Sequence, residues 1–195
     1  PLAYQLLPLA VSAVFLGLPH GAVDHLAIPR TRGEAVTGRW LAVVGALYLV
    51  VGGAYAVVWF LAPIAAVVGF ILLTWAHWGQ GDVYPLVALA GGEHPAGRTG
   101  RLLTAATRGS LPMAVPFVAF PEQYRAVALG VVSLFGADAA ALAPAFSPTG
   151  RLAAGGGLLA LSVLAVVFGG LRVRAGASRE PWLVDAGEVA LLWAL

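Results

Sequence analysis

Cysteine and lysine are both absent from this 195-residue chain, and charged residues of either sign make up only 10% of it. Without cysteine there are no disulfides, no thiolate metal sites and no sulfur nucleophile, so any metal must be held by His, Asp or Glu. Ordinary soluble domains carry roughly a quarter of their residues as charges. A chain with this little charge cannot cover a water-exposed surface. What replaces the charge is apolar: 60% of the residues are hydrophobic and the mean hydropathy is +0.88. The composition is that of an integral membrane protein. The formal charge of +2 comes from eleven arginines against nine acids. Those arginines sit between hydrophobic runs, as membrane-flanking loops require, and do not form a nucleic-acid surface. No cleavable leader, phosphate-cradling glycine loop or Ser/His/Asp arrangement is present. The sequence begins at Pro1 and stops at Leu195 inside an apolar run, so it is expected to be part of a longer chain, cut at both ends.

A helix crossing a bilayer needs ~20 mostly apolar residues. The hydropathy pattern predicts spans at about 2–18 (running on to about 28), 40–61, 64–78, 102–120, 124–142 and 152–171, and a last one opening near Trp182. Residues 82–101, with two prolines and several glycines and charges, are expected to be mostly loop. The expected fold is all-α, a polytopic transmembrane helical bundle of about six to seven spans in one domain over residues 1–195. Arg30, Arg32 and Arg39 place the first loop in the cytoplasm, and the segment after the third span with it. Arg172, Arg174 and Arg179 would then fall outside, unless one of the fourth to sixth segments is not a full crossing. The Gly155-Gly156-Gly157 run suits close helix packing.

Two polar patches interrupt the apolar runs: Gly17-Leu18-Pro19-His20-Gly21-Ala22-Val23-Asp24-His25 and Trp75-Ala76-His77-Trp78-Gly79-Gln80-Gly81-Asp82. They hold three of the four histidines. Ionisable groups at membrane depth are costly and are retained for binding or chemistry. If the first and third spans are parallel, His20 and His77 lie at similar depth, and two imidazoles from facing helices can hold a metal. His25 is a further possible ligand. Asp24, four residues after His20 and on the same helical face, and Asp82, five after His77, are suited to orienting a ligating ring through its other nitrogen. His94, in a Gly-rich loop, is expected to be solvated. Arg108 needs an acid such as Asp82 or Asp24, and Asp185 and Glu188 stand three apart on the last segment. The same residues also suit a haem-binding membrane electron carrier or a proton-coupled transporter. No inverted repeat supports the transporter.

The motifs Gly-Leu-Pro-His-Gly-Ala-x-Asp-His at 17–25, His-Trp-Gly-x-x-Asp at 77–82 and Arg-Gly-x-x-Pro-x-x-x-Pro at 108–116 resemble, in order and spacing, the bacterial and archaeal Brp/Blh proteins. The resemblance implies a multi-pass protein of a prokaryotic cell membrane with an iron(II) centre, cleaving β-carotene at its central double bond with O2 to give two retinal molecules. His20 and His77 match the family's N-terminal iron ligands, with His25 and Asp24 in the same motif. Trp75, Trp78 and Tyr84 are then expected to line the carotenoid tunnel. The family's further ligands, on a later His-x-x-x-His helix, have no counterpart here, so this stretch by itself is expected to be inactive. Ala119-Phe120-Pro121 departs from the family pattern, where a histidine precedes the proline.

Overall fold

The structure, a computed structural model, describes Val11, Phe15 and residues 24–194, without the side chains of Asp24 and Ala139. The described residues contain seven α-helices, one short 3-10 helix and no strand. We number the helices α1 (Asp24–Arg32), α2 (Gly38–Leu61), α3 (Pro63–Ala88), α4 (Gly97–Ala119), α5 (Pro121–Leu134), α6 (Pro148–Arg174) and α7 (Arg179–Ala194), with the 3-10 helix at Ala139–Leu142 between α5 and α6. The all-α expectation is met. Three helices, α2, α3 and α6, are long and apolar enough to cross a membrane. The chain divides into two compact units, Pro1–Val57 and Val58–Leu195, with the boundary inside α2.

In the first unit, most of the first expected span and His20 lie outside the described residues. The polar loop between α1 and α2 is built around Trp40, only 7% exposed. Its indole N–H donates to Glu34 at 3.1 Å, and the Arg32 guanidinium lies 5.4 Å from its ring centroid. The arginine-rich loop is thereby pinned to the start of α2. Beyond it α2 presents apolar side chains outward, Leu49 at 79% and Val50 at 69% exposure, as a lipid-facing helix does.

In the second unit, α3 runs ten residues past the end expected at Trp78, through Gly79, Gly81, Asp82 and Pro85. Glycine and proline there read as loop-forming, but packing overrides them. A Cβ on Gly79 would collide with the Ala105 carbonyl, and one on Gly109 with the carbonyl of Trp75. These glycines let the backbones of α3 and α4 touch, and the contact holds the helix together. Only residues 89–96 remain as a loop. The turn out of α3 is closed by Gly92 N–H donating to the Leu86 carbonyl at 2.8 Å, with Gly91 at φ +63°. The Gly155-Gly156-Gly157 run does not do this work, since Gly156 and Gly157 face open space.

Helix α4 is central, packed against α3, α5, α6 and α7. That position explains its polar composition. Its small hydroxyls are buried but bonded, Thr107 to the Leu103 carbonyl at 2.9 Å and Ser110 to that of Thr107 at 2.8 Å. Leu111 and Val115 form an apolar seam with Leu158 of α6 and Val189 of α7.

The expected fifth span is instead α5, 14 residues long, or about 21 Å at 1.5 Å per residue. That is short of the ~30 Å hydrocarbon core. The α5 helix begins where Tyr124 meets Phe117 near the end of α4 and ends where Phe135 meets Trp59 and Phe60. With the 3-10 helix it caps Val67 near the start of α3. Helix α6 therefore starts beside the end of α4, where Arg151 donates to the Val118 carbonyl. It runs back to finish beside the 89–96 loop, where Ser178 N–H donates to Glu93. This removes the arginine conflict. Arg98, Arg101, Arg172, Arg174 and Arg179 share one end of the unit, whereas the other end holds Arg125 and Arg151 balanced by Glu122 and Asp138. If these helices cross a membrane, the positive-inside rule predicts that the five-arginine end faces the cytoplasm. Cysteines replacing Arg98 and Arg174 in the cysteine-free chain should therefore be labelled by an impermeant maleimide from the same membrane side. Cysteines replacing Glu122 and Asp138 should be labelled from the opposite one. Labelling of positions 98 and 174 from opposite sides would restore α5 as a crossing.

Candidate functional site

Acidic side chains from two helices, α3 and α7, converge on Arg108 of α4, whose side chain is 12% exposed inside the bundle. Its Nη1 donates to Asp185 Oδ1 at 2.7 Å, its Nε to Asp82 Oδ2 at 3.1 Å and its Nη2 to Glu188. Asp185 and Glu188, three apart on α7, share a helical face, so one guanidinium meets both. The pairing expected between Arg108 and Asp82 is present. Asp185 also lies 2.9 Å through Oδ2 from His94 Nε2. Its two oxygens are thus divided between a cation and an imidazole.

His94 is not solvated as expected. It is 2% exposed because residues 91–96 turn inward against α6, where the bare Cα of Gly169 makes room for the ring and for Trp182. Its Nδ1 is buried with no hydrogen-bond partner. The sequence carried part of this signal, since acids and an arginine inside apolar helices must find one another. The inward turn of the loop is visible only in three dimensions. Asp185 and Arg108 are both shielded, but the Asp82 and Glu188 side chains are 49% and 47% exposed, so those two bonds are worth much less.

Of the expected metal ligands, His20 lies outside the described residues, as does the side chain of Asp24. His25 is half-buried on α1, and His77 is exposed on α3. His25 and His77 belong to different units. Among the described residues no group of three or more His, Asp or Glu side chains is placed to hold a metal ion. The candidate ligands are imidazoles with no thiolate among them, a donor type that suits several first-row transition metals, iron included. Asp82 is engaged by Arg108.

Trp75 and Tyr84 line a groove of about 900 Å³ between α3 and α4, together with Leu72, Gln80, Val83 and Arg101 among others. The Trp75 indole spans the helix pair and donates to the Ala106 carbonyl at 2.6 Å. Trp78, 49% exposed, and His77 are not part of the groove lining. A second apolar groove, about 740 Å³, is lined by Trp59, Phe70, Met113, Phe120 and Tyr124 at the opposite end of the unit.

Comparison with known proteins places this geometry in context. A family model described as "Beta-carotene 15,15'-dioxygenase" matches residues 11–195. A protein of Halobacterium salinarum called probable beta-carotene 15,15'-dioxygenase Blh is 47% identical over 186 residues, 95% of this chain and 53% of the relative. A second protein of that organism, probable beta-carotene 15,15'-dioxygenase Brp, is 31% identical over 192 residues, 98% of this chain and 52% of the relative. The chain thus spans about half the length of the curated relatives it matches. No solved structure matches it.

The unequal burial around Arg108 yields a graded expectation. Arg108→Leu leaves the shielded Asp185 with His94 as its remaining partner and should cost about 3 kcal/mol, lowering the melting temperature in detergent by several degrees. Asp82→Asn should cost less than about 1 kcal/mol. Adding Asp185→Asn to Arg108→Leu should recover part of the loss. Equal losses for Arg108→Leu and Asp82→Asn would show that burial does not set the strength of these bonds.

Proposed function

Because this chain belongs to the beta-carotene 15,15'-dioxygenase family, we propose that it forms part of a multi-pass enzyme of a prokaryotic cell membrane that splits β-carotene centrally into two retinal molecules. The reaction balances without a reductant. One carbon–carbon double bond is broken, two carbonyl groups form, and both atoms of O2 enter the products. The observation that carries this reading is the family match across residues 11–195. The apolar outer faces of α2, α3 and α6 support it, since a carotenoid is dissolved in the same hydrocarbon that those helices are suited to cross.

In this reading His20 and His77 hold iron(II), with His25 as a further donor. Bound there, the iron supplies the redox chemistry that couples O2 to cleavage of the double bond. The chain's own residues bind and position. The α3–α4 contact at Gly79 and Gly109 fixes the rotation of α3 and hence the direction of His77. Arg108 holds Asp82, five residues along α3 from His77, and ties the polar end of that helix to α4 and α7. Asp24 orients an imidazole of its own motif. Trp75, Trp78 and Tyr84 offer flat apolar surface to a polyene, and the surrounding bundle keeps water from it.

Expression of the full-length protein that contains this stretch, in β-carotene-accumulating cells, should convert carotene to retinal, read by chromatography of extracted pigment. His77→Ala should remove both bound iron and retinal formation while the protein stays in the membrane. Intact carotene with abundant wild-type protein would refute the assignment. Full activity in His77→Ala would strike that residue from the ligand set.

A further inference from the structure

The α3–α4 groove carries a feature that the substrate does not need. Three of its lining side chains, Gln80, Tyr84 and Arg101, bear hydrogen-bond donors. Among the described residues none of the three makes a side-chain hydrogen bond or ion pair, and Arg101 stands apart from the carboxylates gathered around Arg108. The rest of the wall is Leu72, Trp75, Val83, Val87, Leu102 and alanines. β-Carotene is a pure hydrocarbon and has no acceptor for these donors. Its cleavage product has one, the aldehyde oxygen at the end of an apolar polyene.

Resting on the carotene-cleaving reading above, the geometry points to the α3–α4 groove as the seat of the product, retinal, with its aldehyde oxygen accepting from Arg101 at the arginine-rich end of the unit. The α3 wall from Leu72 to Ala88 is about 24 Å long at 1.5 Å per residue, long enough for an extended polyene. The ring end lies toward Leu72 and Trp75, the chain along Val83 and Val87, and the oxygen beside Arg101, with Tyr84 and Gln80 as further donors. His77 is off this lining, so the groove receives what leaves the reaction centre and does not itself hold the scissile bond. Lysine is absent from the sequence. No ε-amine lines the groove to condense with the aldehyde, and the product is held there by reversible hydrogen bonding.

That absence supplies the test. Arg101→Lys places an amine where the aldehyde is expected. The aldehyde and amine condense to an imine with loss of water, and added borohydride reduces the C=N bond to a stable secondary amine. Protein purified in detergent, incubated with retinal and reduced, should carry a retinyl adduct mapped by mass spectrometry to position 101. Arg125→Lys, on exposed α5 at the opposite end, should not. Arg101→Leu should weaken retinal binding about tenfold. Equal trapping by Arg101→Lys and Arg125→Lys, or unchanged retinal affinity in Arg101→Leu, overturns the proposal. So does loss of co-purified anionic phospholipid in Arg101→Leu with retinal binding intact, which assigns the groove to a lipid headgroup. The two readings fail separately. Retinal production without trapping at 101 removes only the product groove, and trapping without carotene cleavage removes only the enzyme assignment.

Discussion

A guanidinium shut inside a helical bundle must find carboxylates, and much of the second unit follows from meeting that demand. Arg108 sits midway along α4, the helix that touches most of its neighbours. It draws Asp82 from α3 and both Asp185 and Glu188 from α7. Through Asp185 it also holds His94, and with it the short loop that joins α3 to α4. An ion pair this shielded is not a strong source of net stability. Its effect is on specificity, because any other rotation of α4 or α7 would leave a charge unpaired in a medium that cannot solvate it. The cluster therefore sets the rotation of the helices, while the apolar seam of Leu111, Leu158 and Val189 supplies the adhesion.

Close backbone contact does the complementary work along α3. Gly79 and Gly109 bring α3 and α4 together at mid-height, and the Trp75 indole bridges them. One apolar groove runs alongside that pinch and past it toward Arg101, and the second lies at the other end of the helix pair, where α5 joins its wall. The pinch and the grooves are thus one geometric fact. Where small residues allow contact the helix is ordered through glycine and proline, and where side chains such as Ala105 and Ala106 are short on one side only, a cleft remains.

His77 lies on the helix that walls the groove near Arg101 but is not among the residues that line it. Short α5, lying at one end of the unit without crossing it, returns α6 with its basic end beside the loop after α3. The five arginines gather there as a result.

Long, nearly uncharged apolar runs alone determined that the chain is helical, with segments long and apolar enough to cross a membrane, because a helix satisfies its backbone within one segment. Motif order alone determined the family, since His20, His77 and the Arg108–Pro116 stretch carry it at fixed spacing. Local pattern also marked most helices to within a few residues. It failed at the end of α3 and at α5. The first failure arose because glycine and proline are ordered there by a neighbour and not by propensity. The second arose because hydropathy does not measure whether a segment crosses a membrane. The burial of His94, the sharing of Asp185 between Arg108 and His94, and the groove that Trp75 and Tyr84 line were decided only by tertiary structure. Each depends on residues far apart in the chain, 31 to 91 positions for the bonds concerned, meeting in space, and sequence spacing encodes no distance of that kind.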